Sequence, residues 1–182
     1  MIDALLYAVQ GAIWDGGLGY SRDTARLMDG PEPPADAGDV FVSIHQDASK
    51  AGGYGRLDEM FGFVLTLSMR LRNIPLDRVG DSLLAVKLAR ETGFNRRAEA
   101  LRAYLHENWD LLYTANNYLL EVSPGTGLVW GFSEPPRYHG EEVPMLVGPE
   151  WFGGEPDSGE VGLKADLSFG DCRRFQGVAH YV

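Results

Sequence analysis

A single cysteine among 182 residues, Cys172, leaves this chain no internal disulfide and no thiolate metal site. Such scarcity fits a reducing cytosol, or a particle assembled in one. Histidine is nearly as sparse. His45, His106, His139 and His180 stand far apart, and "HENWD" from residue 106 lacks the second imidazole one turn on that a helical zinc site requires. Long apolar runs are missing as well, since none approaches the ~20 residues that span a bilayer. The chain has no Asn-x-Ser/Thr glycosylation acceptor, and its opening "MIDALLYAVQ" carries Asp3 where a secretory signal carries basic residues. A cytoplasmic origin is the expectation, with no membrane partner and no metal or cofactor.

Basic charge is also in short supply. The net charge is -10, and the sequence pI is about 4.8. Such a surface repels phosphate, which argues against wrapping DNA or RNA. The imbalance is uneven along the chain. Residues 56 to 107 carry nine Lys/Arg against seven Asp/Glu, whereas residues 108 to 160 carry Arg137 alone against nine acids. A hydrophobic content of 45% with 23% charged residues is ordinary for a globular protein, and at this length the core needs no covalent staple.

Motifs that carry chemistry are likewise absent. "GTGLVWG", from residue 125, is one residue too long for a dinucleotide fingerprint and does not open a helix. There is no phosphate-binding loop, nucleophile elbow or kinase-like set. Cys172 has Arg173 and Arg174 beside it but no base in sequence to activate it. Asp58-Glu59 and Glu141-Glu142 are acid pairs of the kind that usually face solvent. No catalytic residue is assigned and an enzyme is not expected.

Periodicity is what the chain does have. In "LDEMFGFVLTLSMRLR", residues 57 to 72, Phe61, Phe63, Leu65, Leu67, Met69 and Leu71 alternate with smaller or polar residues. A period of two predicts one long β-strand with a bulky face. "DVFVSIHQ", 39 to 46, is β-rich and predicts the partner strand of a hairpin. The Gly-rich connection at 47 to 56, with Lys50, Tyr54 and Arg56, is longer than a tight turn and predicts a projecting loop. Residues 2 to 14 place Leu5, Leu6, Val9 and Ile13 at helical spacing. Leu83, Leu84, Val86 and Leu88 predict a second helix, which Gly93 ends or kinks. Phe94, Ala98, Leu101 and Leu105 mark one face of a third.

Elsewhere the pattern is looser. Residues 28 to 39, "MDGPEPPADAGD", read as an exposed loop. The stretch 109 to 122 is helix or strand, and 127 to 140 begins as a strand and ends as a loop. Residues 140 to 160 mix six acids, three prolines and five glycines with bulky apolar residues, which predicts an irregular acidic arm. "VGLKADLSF", 161 to 169, predicts a strand, "GDC" a turn and "RRFQGVAHYV" a returning strand. The fold class expected is α+β: residues 1 to 182 as one domain, a single antiparallel or mixed sheet with a long central hairpin, and helices on one face.

Two features point to an interface. The second face of the long strand, with Val64, Thr66, Ser68, Arg70 and Arg72, is neither apolar nor fully charged, as expected where a neighbouring subunit or a lumen lies against it. Trp130, Trp151 and Phe152 stand outside the periodic elements, and such aromatics either anchor interfaces or fold back onto their own core.

The order of helix, "GDVFVSIHQ", projecting loop, long strand "EMFGFVLTLSMRLR", helix and terminal strands resembles the tail-terminator and tail-completion (neck) proteins of tailed bacteriophages. The likeness covers residues 1 to 107 and the last strands. It rests on element order and hydrophobic pattern, and the loop at 21 to 38 and the arm at 140 to 160 exceed what a minimal terminator needs. The resemblance implies a structural virion protein forming a ring, usually a hexamer, that ends the tail tube and meets the head-side connector, with DNA passing through the lumen. It implies assembly in the host cytoplasm and residence in the virion tail. The alternatives are a non-catalytic interaction module acting as a monomer or dimer, and then a small enzyme using Asp58, Glu59 or Glu142.

Overall fold

In the computed structural model, the described residues are 2–46, 60–72, 79–107, 128–132, 137–141, 144–158 and 160–178. Helix α1 runs Ile2–Asp15 and strands β1, β2 and β3 run Ala25–Leu27, Val40–Gln46 and Met60–Leu71. Helices α2 (Val79–Ala89) and α3 (Asn95–Glu107) follow, then strands β4 (Leu128–Phe132), β5 (Arg137–Glu141), β6 (Met145–Val147) and β7 (Val161–Val178). The strands form one sheet in the order β1-β2-β3-β7-β4, with β5 and β6 also paired to β7. Among the described strands, only the β1–β2 pair is parallel. The chain is therefore α+β with a mixed sheet, and the long β2–β3 hairpin is at its centre.

The alternation of β3 sets the architecture. Phe63, Leu65, Leu67 and Met69 are buried against helices, together with Val42 and Ile44 of β2 and Leu163, Ala165, Leu167 and Phe169 of β7. Leu6, Val9 and Ile13 of α1 meet them, as do Phe94, Ala98, Leu101 and Leu105 around α3. Every residue that helical spacing assigned to the third helix face is buried. Across β3 and β7, Phe63 stacks on Phe169 with centroids 5.0 Å apart, a cross-strand aromatic pair. The β1 end of the sheet is tied to α1, whose Gln10 and Trp14 side chains donate to the Ala25 carbonyl at 3.4 and 2.9 Å.

Several local expectations need correcting. Gly93, expected to end or kink the second helix, marks an interruption and not a stop. It sits in a π-helical turn, Arg90–Phe94, that joins α2 to α3, where one extra residue re-phases the apolar face. "GDC" is not a turn either, because β7 is a single strand of 18 residues. Phe63 pairs with Phe169 and Phe61 with Cys172, so β7 spends one residue more than β3 there. The turn-prone Gly170-Asp171 is accommodated as a β-bulge. Residues 137 to 141 form β5, not a loop, and β1 lies within the segment expected to be irregular. Residues 47–59 and 109–122 lie outside the described residues, so the projecting loop and that segment do too.

Burial pushes the Tyr20 hydroxyl above its usual pKa of 10.0, opposed in part by the nearby Arg97 guanidinium. Tyr104 is raised as well, first by burial and then by the Asp15 carboxylate. Both phenols are held neutral in the fold. Their stabilisation is therefore complete below pH 10 and is lost as pH climbs through the raised folded values. Thermal midpoints measured from about pH 8 to about pH 11 should fall at the alkaline end, and Tyr20→Phe should flatten that fall. An unchanged alkaline slope in Tyr20→Phe would assign the loss to other groups.

Candidate interaction surface

The second face of the sheet carries Phe41, Ser43 and His45 on β2, Val64, Thr66, Ser68 and Arg70 on β3, and Gly162, Lys164 and Asp166 on β7. No helix covers it. Two loops do. Residues 28 to 38 bury Pro33 and Ala37 and place the Pro31 carbonyl where the Ser43 hydroxyl donates to it at 3.0 Å. The loop expected to be exposed is so at Asp29, Glu32, Ala35, Asp36 and Gly38, but it rests on the sheet through Pro33 and Ala37. Prolines bring no N–H to satisfy, so such a segment can lie on a sheet with few orphaned donors.

The other cover is the acidic arm. β6 pairs with β7, and a single 3-10 turn, Pro149–Phe152, follows it. Gly153 ends that turn at φ 69, and its N–H bonds back to the Glu150 carbonyl at 3.0 Å. The left-handed conformation suits glycine there. The turn delivers two aromatics onto the second face. Trp151 donates from Nε1 to Ser68 Oγ at 3.1 Å, and Lys164 Nζ lies 4.3 Å from the Trp151 ring centroid. Phe152 is fully covered and lies directly over Gly162, where a Cβ would overlap its ring.

Arg70 closes the assembly. Its guanidinium lies 4.8 Å from the Phe152 centroid, donates from Nη2 to the Phe152 carbonyl at 3.0 Å, and has Glu160 Oε2 3.8 Å from its Nε. One cation thus holds both the ring and the backbone of the arm.

Deeper on the same face, the Thr66 hydroxyl donates to Asp166 Oδ1 at 2.5 Å. With its proton committed there, Thr66 Oγ1 accepts from His45 Nε2 at 3.1 Å. Thr66 is itself fully buried, so this row is internal to the fold and does not form an open pocket. Thr66→Val keeps the shape and removes both bonds, leaving Asp166 and His45 short of a partner. It should cost about 1–3 kcal/mol in equilibrium unfolding. A neutral result would mean that water replaces the hydroxyl.

Of the residues expected at an interface, the structure places Thr66, Ser68, Arg70, Arg72, Trp151 and Phe152. Thr66 and Ser68 have 0% exposure and are withdrawn as contact residues, because the chain's own arm and loop already cover them. Arg70, Trp151 and Phe152 bind the arm to the sheet within one subunit. Arg72 is exposed and pairs with Asp39 at 2.8 Å, a surface contact worth little. Trp130 lies on β4, with its side chain outside what is described. Lys50, Tyr54 and Arg56, like the acids Asp58, Glu59 and Glu142, fall outside the described residues. Among the described residues there is no group of three or more His, Cys, Asp or Glu that could hold a metal ion, and no helix is long and apolar enough to cross a membrane.

The chain matches no protein-family model and no curated protein.

The exposed apolar surface lies elsewhere. Leu83, Leu84 and Leu88 of α2 are 61%, 65% and 58% exposed, while Val86 and Ala89 of the same helix turn to the core. Met145 and Leu146 on β6 are 45% and 57% exposed. Sequence reading found these leucines as a helix pattern but had no means of telling which side of α2 faces inward. The missing signal was that α2 carries apolar residues on both sides.

Proposed function

We propose that this chain is a structural, ring-forming component of a phage or prophage tail or neck, one that terminates the tail tube and joins it to the head-side connector. The observation that carries the reading is the element order: an N-terminal helix, a long central hairpin, helices on one face and a long terminal strand beside the hairpin. That is the arrangement on which the resemblance to tail-terminator and neck proteins rests. The two unlike exposed apolar patches support it, because closed rings are built from heterologous contacts between different patches. The partners proposed are further copies of the chain, the tail tube protein and the head-side connector. The work done is geometric: halting tube growth, joining tail to head and letting DNA pass a largely acidic lumen.

One finding favours the second reading, a non-catalytic interaction module acting as a monomer or dimer. The polar face of β3, the surface expected to meet a ring neighbour, is occupied by the chain's own arm.

Light scattering over a concentration series, with negative-stain images of the same sample, separates the two. Closed rings near six times 20.0 kDa are the expected result. A monomer at every concentration would move the conclusion to the interaction module. If charge pairing between the basic and acidic regions drives assembly, raising salt should dissolve the rings, since screening shortens from about 10 Å at 0.1 M to about 3 Å at 1 M. Rings indifferent to salt would be held by apolar contact instead.

A further inference from the structure

We infer that Asp29-Gly30 is a site of spontaneous backbone isomerisation, and that the isoaspartyl link formed there loosens the loop covering the second face of the sheet. The chemistry needs no enzyme. The Gly30 nitrogen attacks Cγ of the Asp29 side chain, a C–N bond forms, and the carboxyl group loses one oxygen as water. The product is a five-membered succinimide, which solvent water opens at either carbonyl. Opening at Cγ restores aspartate. Opening at the backbone carbonyl leaves the main chain routed through Cγ and one carbon longer, with the former backbone carbonyl now a free carboxylate. No oxidant or reductant enters, and the water lost in the first step is regained in the second.

The chain has two Asp-Gly dipeptides, and the fold treats them differently. Asp15 is the last residue of α1, and Gly16 packs so closely on the Tyr104 ring that a Cβ would overlap it. Ring closure there asks both the helix end and that contact to give way. Asp29 is exposed in a loop, and a Cβ on Gly30 would meet nothing within 4 Å. A glycine nitrogen is the least hindered nucleophile, and an irregular loop lets Cγ swing onto it. Three other exposed aspartates, Asp23, Asp36 and Asp157, have an occupied nitrogen beside them. The N–H groups of Thr24, Ala37 and Ser158 donate to the Ser21, Pro34 and Glu155 carbonyls at 3.1, 2.9 and 3.0 Å. Among the described residues the Gly30 N–H has no such partner.

The site lies where a longer backbone is felt. Two residues on, the Pro31 carbonyl accepts from the Ser43 hydroxyl at 3.0 Å, and Ser43 is fully buried. Pro33, just beyond, is buried as well. An added backbone carbon displaces that carbonyl or that proline, and a buried hydroxyl without its acceptor is costly.

The test incubates the full folded chain in warm, mildly acidic buffer, beside a short peptide of residues 26 to 34 as the unstructured reference. Peptide mapping by mass spectrometry reads the succinimide as the loss of one water. A protein isoaspartyl methyltransferase then labels the isoaspartyl carboxylate. Label should accumulate at Asp29 and not at Asp15 or Asp157. Gly30→Ala should lose most of it, and this variant keeps the fold because Gly30 is not among the positive-φ glycines and its Cβ has room. Asp29→Ser should lose it entirely. Hydrogen exchange across residues 28 to 38 should quicken in the aged wild type, while Gly30→Ala aged alongside stays as it was. A peptide that converts while the chain does not overturns the site, because the fold then holds Asp29 Cγ away from the Gly30 nitrogen. Label at Asp15 or Asp157 equal to that at Asp29, or undiminished in Gly30→Ala, overturns it as well. Conversion at Asp29 with unchanged exchange overturns the loosening of the loop.

Discussion

Phe152→Ala should cost about 3–5 kcal/mol of folding stability and release the arm from the sheet. The ring is buried to 2% exposure against the sheet, so its removal leaves a cavity between the arm and Gly162. Its floor is Gly162, the position where β7 approaches the aromatic most closely, and its wall is Arg70. Truncation removes the apolar area, the cation–π contact and the reason for the 3-10 turn to sit where it does. Chemical denaturation measures the cost, and proteolysis near Gly153 reports the freed arm. Gly162→Ala tests the same contact from below: its Cβ overlaps the ring, so the ring must leave, although no atom of Phe152 has changed. If either substitution costs less than about 1 kcal/mol, the arm is held by β6 pairing and not by its aromatic.

This arm also marks how far the sequence could be read. The bulky face of β3, the helical spacing of Leu6, Val9 and Ile13, and the run Phe94, Ala98, Leu101 and Leu105 were legible because burial on one side writes a period into the chain. The α+β class followed from those periods alone. The polar face of β3 was legible as unusual, yet its cover was not. Thr66, Ser68 and Arg70 are the residues a neighbouring subunit would want, and they are equally the residues that the arm uses. Arg70 and Phe152 are 82 positions apart, and nothing local in the chain announces that they meet. The GDC segment failed for a related reason. Gly170-Asp171 does break regular pairing, but strands on both sides of β7 supply partners, and the break becomes a bulge. The leucines of α2 were found as a helix pattern, and nothing in the sequence signals which side of that helix faces inward.

The second large effect is expected at Arg70, and the choice of replacement decides what is learned. Its side chain is 12% exposed and that of Glu160 is 22%, so the pair lies between surface and core. Arg70→Ala should lose about 3 kcal/mol, the lower end of the range for removing one partner of a buried pair. Glu160 keeps its charge, the Phe152 carbonyl loses its donor, and the ring loses the cation over it. Arg70→Met retains the packing but not the donors, and should recover part of the loss. Arg70→Lys retains the charge without the fork that spans ring, carbonyl and carboxylate together, and should fall between the two. The order Ala, then Lys or Met, then wild type is therefore fixed by which of three contacts each side chain can keep. A double substitution with Phe152→Ala closes the argument. If Arg70 acts by clamping the arm, the two losses should be far from additive, because the arm can be released only once. Additive losses would mean that Arg70 stabilises the end of β3 by its own means, and the arm would then owe its place to Phe152 and Gly162 alone.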